Sequence, residues 1–286
     1  MKIITAIKDM QRAADALRRD GKRLAFVPTM GSLHKGHLQL LRAARARADF
    51  VIVSVYVNPT QFGPGEDFER YPRDVARDSQ LAEQTGCDIL FVPETADMYP
   101  AGFSTRVTIA GVSEQLEGAS RPGHFDGVTT IVAKLFNIVK PHIAVFGQKD
   151  AQQAILIRKM ARELNFDMDI LVEATVREHD GVAMSSRNAY LSDTERRDAT
   201  ALSRGLMKAE QLFAQGVREP DTLRAAVESV LRDGDTLCIE YVAVVDAETL
   251  EKPDPDSRQP FLVAVAARLG STRLIDNIIL KDAALP

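Results

Sequence analysis

The 286-residue sequence predicts an α/β protein with a doubly wound, mostly parallel sheet, followed by a smaller α+β domain. Apolar strand-like runs alternate with segments of helical periodicity through the first part of the chain, which is typical of a parallel sheet with crossover helices. The run FVIVSVYV at residues 50–57 is nearly all apolar and rich in β-branched residues, as expected of a strand buried on both faces. After about residue 176 the pattern changes to helices followed by closely spaced strands.

The elements of the first part follow a strand–helix–strand order. Ile7, Met10, Ala14 and Leu17 recur at helical spacing, and Gly21 ends this helix. This alternation predicts a Rossmann-like sheet. The predicted strands are 24–27, 50–57, 88–92, 103–109, 142–146 and 168–173. The other predicted helices are 36–48, 73–85, 128–139 and 151–164.

The second part reads as two helices and three strands. We predict helices at 193–215 and 221–232, then strands at 238–245, 261–267 and 274–280. The turn-like sequence Asp254-Pro255-Asp256-Ser257 separates two of these strands. The domain boundary is therefore placed at 176, which gives domains of residues 1–176 and 177–286.

Composition excludes several classes of protein. The net charge is −4, from 36 basic and 40 acidic residues, so a long-range basic field for nucleic acid is absent. No apolar run approaches the roughly 20 residues that span a bilayer, and the first residues do not resemble a signal peptide. Cys87 and Cys238 are far apart and indicate neither a disulfide framework nor a zinc ribbon. We expect a cytoplasmic protein without membrane or nucleic-acid partners.

The first chemical motif is PTMGSLHKGH at residues 28–37, between the first long strand and its helix. Ligands bind α/β sheets at the carboxyl ends of strands, and a helix N-terminus suits phosphate. His34 and His37 are three residues apart, so both lie on one side of a helical turn, and Gly36 lets phosphate approach the backbone. On these residues alone, part of a metal site or two incidental surface histidines remain alternatives. The other three histidines are scattered, so no metal site is predicted.

Polar segments follow two other predicted strands. Asn58 and Gln61 belong to NPTQF, directly after residues 50–57, and their amides can bind hydroxyls and a carboxylate. In FGQKDAQQ at 146–153, Gly147 permits a tight turn and Lys149 suits phosphate oxygens. The alternative interpretations are a solvated turn after residues 50–57 and a plain helix cap at Asp150.

A last polar segment, MSSRN at residues 184–188, lies near the predicted domain boundary. Its two hydroxyls and one guanidinium can surround a triphosphate, because arginine makes forked contacts with phosphate. An ordinary polar loop is the alternative interpretation. We predict that this segment, the second domain or residues 62–70 close over a bound nucleotide to exclude water.

The motifs together resemble a known family. TMGSLHKGH is similar to the HxGH signature of the nucleotidyltransferase superfamily. The ordered set HKGH, NPTQF, RYPRD, EGASRPGHFDGV, FGQKDAQQ and MSSRN closely resembles the pantothenate synthetase (pantoate–β-alanine ligase) family over about residues 1–280. The resemblance implies ATP-dependent condensation of pantoate with β-alanine through a pantoyl adenylate, releasing AMP and pyrophosphate. It also implies Mg²⁺ with ATP, no tightly bound organic cofactor, and a homodimer.

The resemblance assigns roles to the matching positions. The first domain would bind nucleotide and pantoate, and the second would close over the ATP site. The implied catalytic residues are His37, His34, Lys149 and Arg187. The implied ATP-binding residues are Met30, His34, Gly36, His37, Gly147, Lys149, Asp150, Val176, Met184, Ser185, Ser186 and Arg187. The implied residues for pantoate or β-alanine are Gln61, Gln153, Asn58, Tyr71 and Arg121.

Three competing functions share some of these features. Another adenylyl- or cytidylyltransferase would use the histidine pair but leave the nucleotide in its product. A tRNA-charging fragment would need a basic surface, which the net charge of −4 argues against. An inactive nucleotide sensor would bind ATP without turnover. It would not need His34, His37, Lys149 and Arg187 together, since these groups act on a transition state.

Overall fold

The computed structural model describes residues 1–282 and confirms the predicted α/β fold with its second, smaller sheet. No helix in this range is both long and apolar enough to cross a membrane. The strands are β1 (Lys2–Ile4), β2 (Leu24–Thr29), β3 (Phe50–Val55), β4 (Ile89–Phe91), β5 (Ile143–Gly147), β6 (Asp169–Glu173), β7 (Leu237–Asp246), β8 (Phe261–Leu269) and β9 (Thr272–Leu280). The helices are α1 (Ile7–Arg19), α2 (Lys35–Arg45), α3 (Val75–Gln84), α4 (Thr95–Met98), α5 (Glu117–Ser120), α6 (His124–Val139), α7 (Ala151–Glu163), α8 (Asp193–Ala214) and α9 (Pro220–Leu231).

The larger sheet has six parallel strands in the order β1-β4-β3-β2-β5-β6. From β2 the chain adds β3 and β4 on one side of that strand. It then crosses over and adds β5 and β6 on the opposite side of β2. The strand order therefore reverses between β2 and β5, where Ala25 lies opposite Ile143. Such a switch point opens a crevice at the carboxyl ends of the strands. The motif of residues 28–37 leaves β2 at this crevice.

Apolar packing explains why the central strands read as continuous hydrophobic runs. Phe26 in β2 and Ile52 in β3 are fully buried on one face of the sheet, and Val27 and Val53 are fully buried in a second cluster. Helix α6 packs against the first cluster through residues such as Phe136. Both faces of β2 and β3 are thus covered, and for residues 50–57 the sequence predicted this.

The structure differs from the prediction for one predicted strand and for one strand that was not predicted. Residues 103–109, predicted as a strand, pair with no strand in the described part of the chain. The Val107 N–H instead donates to Thr130 Oγ1 at 2.9 Å, and the Val107 carbonyl accepts from the Thr129 hydroxyl, so helix side chains replace a strand partner. The short strand β1 was not predicted; it pairs with β4 at the edge of the sheet.

The chain divides into two compact units. The first comprises Met1–Gln148 and Gln152–Ala174, and the second comprises Lys149–Ala151 and the chain from Thr175 onward. In the second unit, β7, β8 and β9 form an antiparallel sheet, and its core is shared with α8 and α9. The predicted second domain runs to residue 286, and its residues 283–286 lie outside the described range.

Candidate active site

His34 and His37 form a capping box at the N-terminus of α2. His34 is the N-cap residue, with extended backbone, and its Nδ1 accepts the Gly36 N–H at 3.2 Å. The His37 Nδ1 accepts the His34 N–H at 3.3 Å. Two imidazole rings thus occupy the positions that Ser or Thr and Glu or Gln take in the usual capping box.

These hydrogen bonds fix the tautomer of both neutral rings. A backbone N–H can only donate, so each Nδ1 presents a lone pair and the ring proton lies on Nε2. The ring centroids are 4.0 Å apart. A side chain on Gly36 would bring its Cβ within 2.9 Å of His34 Cε1, so the glycine makes room for the His34 ring. The helix start therefore carries two Nε2–H donors beside its backbone N–H groups.

The loop that leads into this helix is held by buried acceptors. Asp78, which is 1% exposed, accepts the Ser32 N–H at 2.8 Å and the Leu33 N–H at 2.7 Å through its two oxygens. Burial raises the pKa of Asp78, although these two hydrogen bonds lower it. Gly31 has a φ of +86°, and a Cβ there would lie 2.9 Å from an Asp78 oxygen. Asp78 thus fixes the backbone directly before His34.

Asn58 and Gln61 form a buried amide pair after β3. Asn58 Oδ1 accepts the Thr60 N–H, and Asn58 Nδ2 donates to the Gly127 carbonyl at 3.1 Å, so two backbone groups fix the Asn58 amide. Its Nδ2 also donates to Gln61 Oε1 at 3.1 Å. Gln61 Nε2 therefore points to the other side, where it lies 3.1 Å from the Met30 sulfur. Gln61 presents its donor end toward the loop of Met30.

Arg121, Glu66 and His124 form a polar cluster around the Gln61 backbone. Arg121 makes a forked ion pair with Glu66, at 2.7 and 2.6 Å, and donates to the Gln61 carbonyl at 3.2 Å. His124 Nδ1 lies 2.7 Å from the same carbonyl, and its Nε2 lies 3.0 Å from the Arg121 guanidinium. Because the carbonyl only accepts and the guanidinium only donates, His124 is the neutral Nδ1–H tautomer.

This cluster predicts a loss of stability in mild acid. Burial and the Arg121 charge lower the pKa of His124 from 6.5 to about 4. A histidine with a lowered folded pKa contributes stability that is complete above pH 6.5 and lost as the pH falls toward 4. We expect the protein to lose up to about 3 kcal/mol of free energy of unfolding over this window. Urea unfolding across the window should show a flatter pH dependence for His124→Gln, and equal slopes would contradict the assignment.

The remaining candidates of the first unit are Gly147, Gln153 and Tyr71. A Cβ on Gly147 would meet no atom within 4 Å, and its φ is not in the left-handed region. The glycine therefore leaves open space, and the predicted tight turn does not depend on it. Gln153 is half-buried, whereas its neighbour Gln152 is buried and bonded to the backbone of Glu117 and Val112. The Tyr71 ring packs edge-on against the Phe62 ring.

The second unit contains the other predicted site residues. Val176 and Met184 face each other across a hairpin, with the Met184 N–H donating to the Val176 carbonyl at 2.9 Å. Ser185 then caps a 3₁₀ turn, Ser186–Tyr190, by accepting the Arg187 N–H at 3.3 Å. Lys149 lies 3.6 Å from the Asp150 carboxylate and lines a small cavity together with Ser185. The structure therefore brings Lys149 close to the MSSRN segment.

Sequence reasoning missed the residues that hold these groups in place. Asp78, Glu66 and His124 in the first unit carried no motif signal of their own, although His124 lies inside the quoted segment EGASRPGHFDGV. In the second unit, Glu178 and Arg196 were also missed. Within residues 1–282, no group of three or more His, Cys, Asp or Glu side chains is arranged to hold a metal ion.

The fold and the helix-cap histidines define an α/β protein with a capped helix N-terminus at the carboxyl edge of its sheet, the place where proteins of this class bind phosphate groups. The profile of the pantoate-beta-alanine ligase family matches residues 2–279. The pantothenate synthetase of Geobacter sulfurreducens is 52% identical over 282 residues, 99% of this chain and 99% of that protein. The chain therefore belongs to the pantoate-beta-alanine ligase family, and the predicted family and enzyme class are confirmed.

Solved structures agree with this assignment. Pantothenate synthetase from Thermus thermophilus matches with a TM-score of 0.90 and 44% identity, over 97% of this chain and 99% of that one. Pantoate-beta-alanine ligase from Francisella tularensis matches with a TM-score of 0.80 and 32% identity, over 98% and 97% of the two chains. The Francisella structure is a complex with beta-gamma ATP and beta-alanine.

Proposed function

We propose that this chain joins pantoate to β-alanine at the expense of ATP, with release of AMP and pyrophosphate. The observation that carries the proposal is the capping box of His34 and His37, which directs two Nε2–H donors at the start of α2. Negative charge on a transferring phosphate is stabilised by such fixed donors and by the helix dipole. The Francisella relative is complexed with beta-gamma ATP and beta-alanine, and the proposed reaction uses a nucleotide and an amine of this chemistry.

The reaction has two balanced steps. A carboxylate oxygen of pantoate attacks the α-phosphorus of ATP, the bond to the β-phosphate bridge oxygen breaks, and pyrophosphate leaves. The amine of β-alanine then attacks the acyl carbon of pantoyl adenylate, loses a proton and displaces AMP. His34 and His37 would donate hydrogen bonds to phosphate oxygens as their charge changes. Their tautomer suits this role because each Nε2 carries the proton.

Residues of the first unit would bind the smaller substrate. Gln61 presents Nε2 as a donor, which fits a carboxylate or hydroxyl oxygen of pantoate. Asn58 would act by fixing that amide, and Met30 lies against it. Gln153, half-buried on α7, is proposed to hold pantoate from a second direction. Tyr71 and Arg121 stay proposals as substrate contacts, and the forked pair with Glu66 favours a supporting role for Arg121.

The other proposed ATP contacts lie on segments that expose donors or open backbone. Lys149 and Arg187 would offset phosphate charge, and the hydroxyls of Ser185 and Ser186 would donate to phosphate oxygens. Gly147 leaves room for nucleotide at the end of β5. The other proposed nucleotide contacts are Gly36, Asp150, Val176 and Met184.

The nucleotide substrate is proposed to be MgATP, because Mg²⁺ binds phosphate oxygens and usually keeps several waters. We also propose a homodimer in the cytoplasm, on the basis of the family resemblance. Light scattering tests the oligomeric state directly, since a homodimer has twice the mass of the chain.

A product assay tests the proposed function. Purified protein is incubated with ATP, Mg²⁺, pantoate and β-alanine, with each omitted in turn, and AMP, ADP, phosphate and pyrophosphate are resolved. We expect equal amounts of AMP and pyrophosphate, with sustained turnover only when both small substrates are present. Nucleotide binding without AMP would favour a sensor, and pyrophosphate without AMP would favour a nucleotidyltransferase with another acceptor.

A further inference from the structure

A chain of charged and amide groups supports the MSSRN segment in the second unit. Arg196, on α8, makes a forked contact with Asp180, with distances of 2.7 Å from Nε and 2.8 Å from Nη2. The same guanidinium lies 3.0 Å from Glu178. Glu178 Oε1 in turn accepts Asn188 Nδ2 at 2.6 Å. Arg196 is thus two contacts away from the last residue of MSSRN.

The two carboxylates of this chain lie on one hairpin. The Glu178 N–H donates to the Val182 carbonyl at 2.8 Å, and the Gly181 N–H donates back to the Glu178 carbonyl at 2.9 Å. The Asp180 carboxylate accepts the Val182 N–H at 3.2 Å. Arg196 therefore joins α8 to the tip of the hairpin that carries Val176 and Met184.

Asn188 joins the same hairpin to the MSSRN segment. Its Nδ2 donates to Glu178 and also to the Ala183 carbonyl at 3.1 Å. Both partners can only accept, so the orientation of the Asn188 amide is fixed. The Asn188 N–H donates to the Ser185 carbonyl at 3.1 Å, which closes the turn around Ser186 and Arg187. Asn188 thereby ties the backbone that carries the Ser185 and Ser186 hydroxyls to the hairpin.

The network is more than a solvated surface ion pair. The side chains of Arg196, Glu178 and Asp180 are 23%, 27% and 22% exposed. Burial raises the pKa of Glu178, but hydrogen bonds from Arg196 and Asn188 outweigh it and keep that pKa below its ordinary value. Forked, partly buried contacts of this kind hold geometry better than exposed pairs do.

We propose that Arg196 is a positioning residue, which holds the Ser185–Arg187 backbone in the conformation that binds the triphosphate by way of Glu178 and Asn188. The inference rests on the proposed function, which places Ser185, Ser186 and Arg187 against ATP. Arg196 also offsets two carboxylates on the hairpin, which would otherwise add uncompensated negative charge next to a phosphate-binding segment.

The test compares nucleotide binding and kinetics in matched variants. For Arg196→Ala we expect the Kd for a non-hydrolysable ATP analogue and the KM for ATP to rise about tenfold to hundredfold, with the KM for β-alanine little changed. Arg197→Ala is the control, because Arg197 is exposed on the same helix turn and its guanidinium donates to the exposed Thr194 hydroxyl rather than to the hairpin. An unchanged Kd and KM for ATP in Arg196→Ala would overturn the proposal.

A second pair of variants keeps the test decisive if Arg196→Ala fails to fold. Glu178→Gln retains Oε1 as an acceptor for Asn188 but turns an N–H group toward the Arg196 guanidinium, so it should weaken ATP binding less than Glu178→Ala, for which we expect about tenfold. Equal ATP affinities in these two variants would contradict positioning through Asn188. Absence of AMP formation in the wild type would instead contradict the proposed function, while the Kd comparison would still report on the role of Arg196.

Discussion

Replacing His37 with alanine should lower the turnover number by about 10²–10³-fold while changing the affinity for ATP much less. The capping box leaves the His37 proton on Nε2, so the ring is a donor aimed away from the helix backbone. Charge on the phosphate oxygens changes during adenylyl transfer, and a donor fixed in advance stabilises the transition state more than the bound substrate. Single-turnover measurements of AMP formation, together with equilibrium binding of an ATP analogue, separate the two effects.

The control for this prediction is His37→Gln. Glutamine is favoured at the third position of a capping box and can accept the His34 N–H as the His37 ring does, so this variant should preserve the start of α2. It keeps an amide N–H donor but loses the imidazole, so its turnover should lie between those of His37→Ala and wild type, with thermal stability nearer to wild type. Loss of ATP affinity alone, with normal turnover at saturation, would contradict a transition-state role for His37.

The fold was predictable because the central strands β2, β3 and β5 of the larger sheet are almost wholly buried. Continuous apolar runs such as residues 50–57 leave few alternatives to a central parallel strand, and the helices between them show a clear apolar stripe. The edge strand β1 was missed because only Ile4 of its three residues is buried. Residues 103–109 have strand-like composition, but their partners are side chains of α6, which local sequence does not reveal.

The position of the candidate site was predictable, but its internal geometry was not. A glycine-rich turn with two histidines after a buried strand indicates a phosphate site at that turn. The tautomers of His34 and His37 and the amide orientation of Gln61 depend on which backbone groups contact them, and only three-dimensional packing determines this. Asp78 and Arg196 carried no motif signal, because their partners Ser32 and Asp180 lie 46 and 16 residues away in the sequence and meet them only in the folded chain.

Replacing Asp78 with alanine should lower the free energy of unfolding by about 2–5 kcal/mol, because the N–H groups of Ser32 and Leu33 would lose their acceptor. Turnover should fall as well, since these residues lead directly into His34. Urea unfolding and steady-state kinetics measure the two effects. The control is Asp74→Ala, which removes only the exposed cap of α3 and should cost about 1 kcal/mol. Equal losses in the two variants would contradict a special role for Asp78.

The pH dependence of this effect follows from the buried carboxylate. Because burial raises the folded pKa of Asp78 above 3.8, its contribution to stability is complete below the unfolded value and is lost as the pH rises through the folded value. Asp78→Asn does not titrate and can accept only one of the two N–H groups. The stability difference between wild type and Asp78→Asn should therefore be largest in acid and decrease as the pH rises. This trend is opposite to the one expected for His124. If the stability difference between wild type and Asp78→Asn instead grows with pH, hydrogen bonding outweighs burial at Asp78.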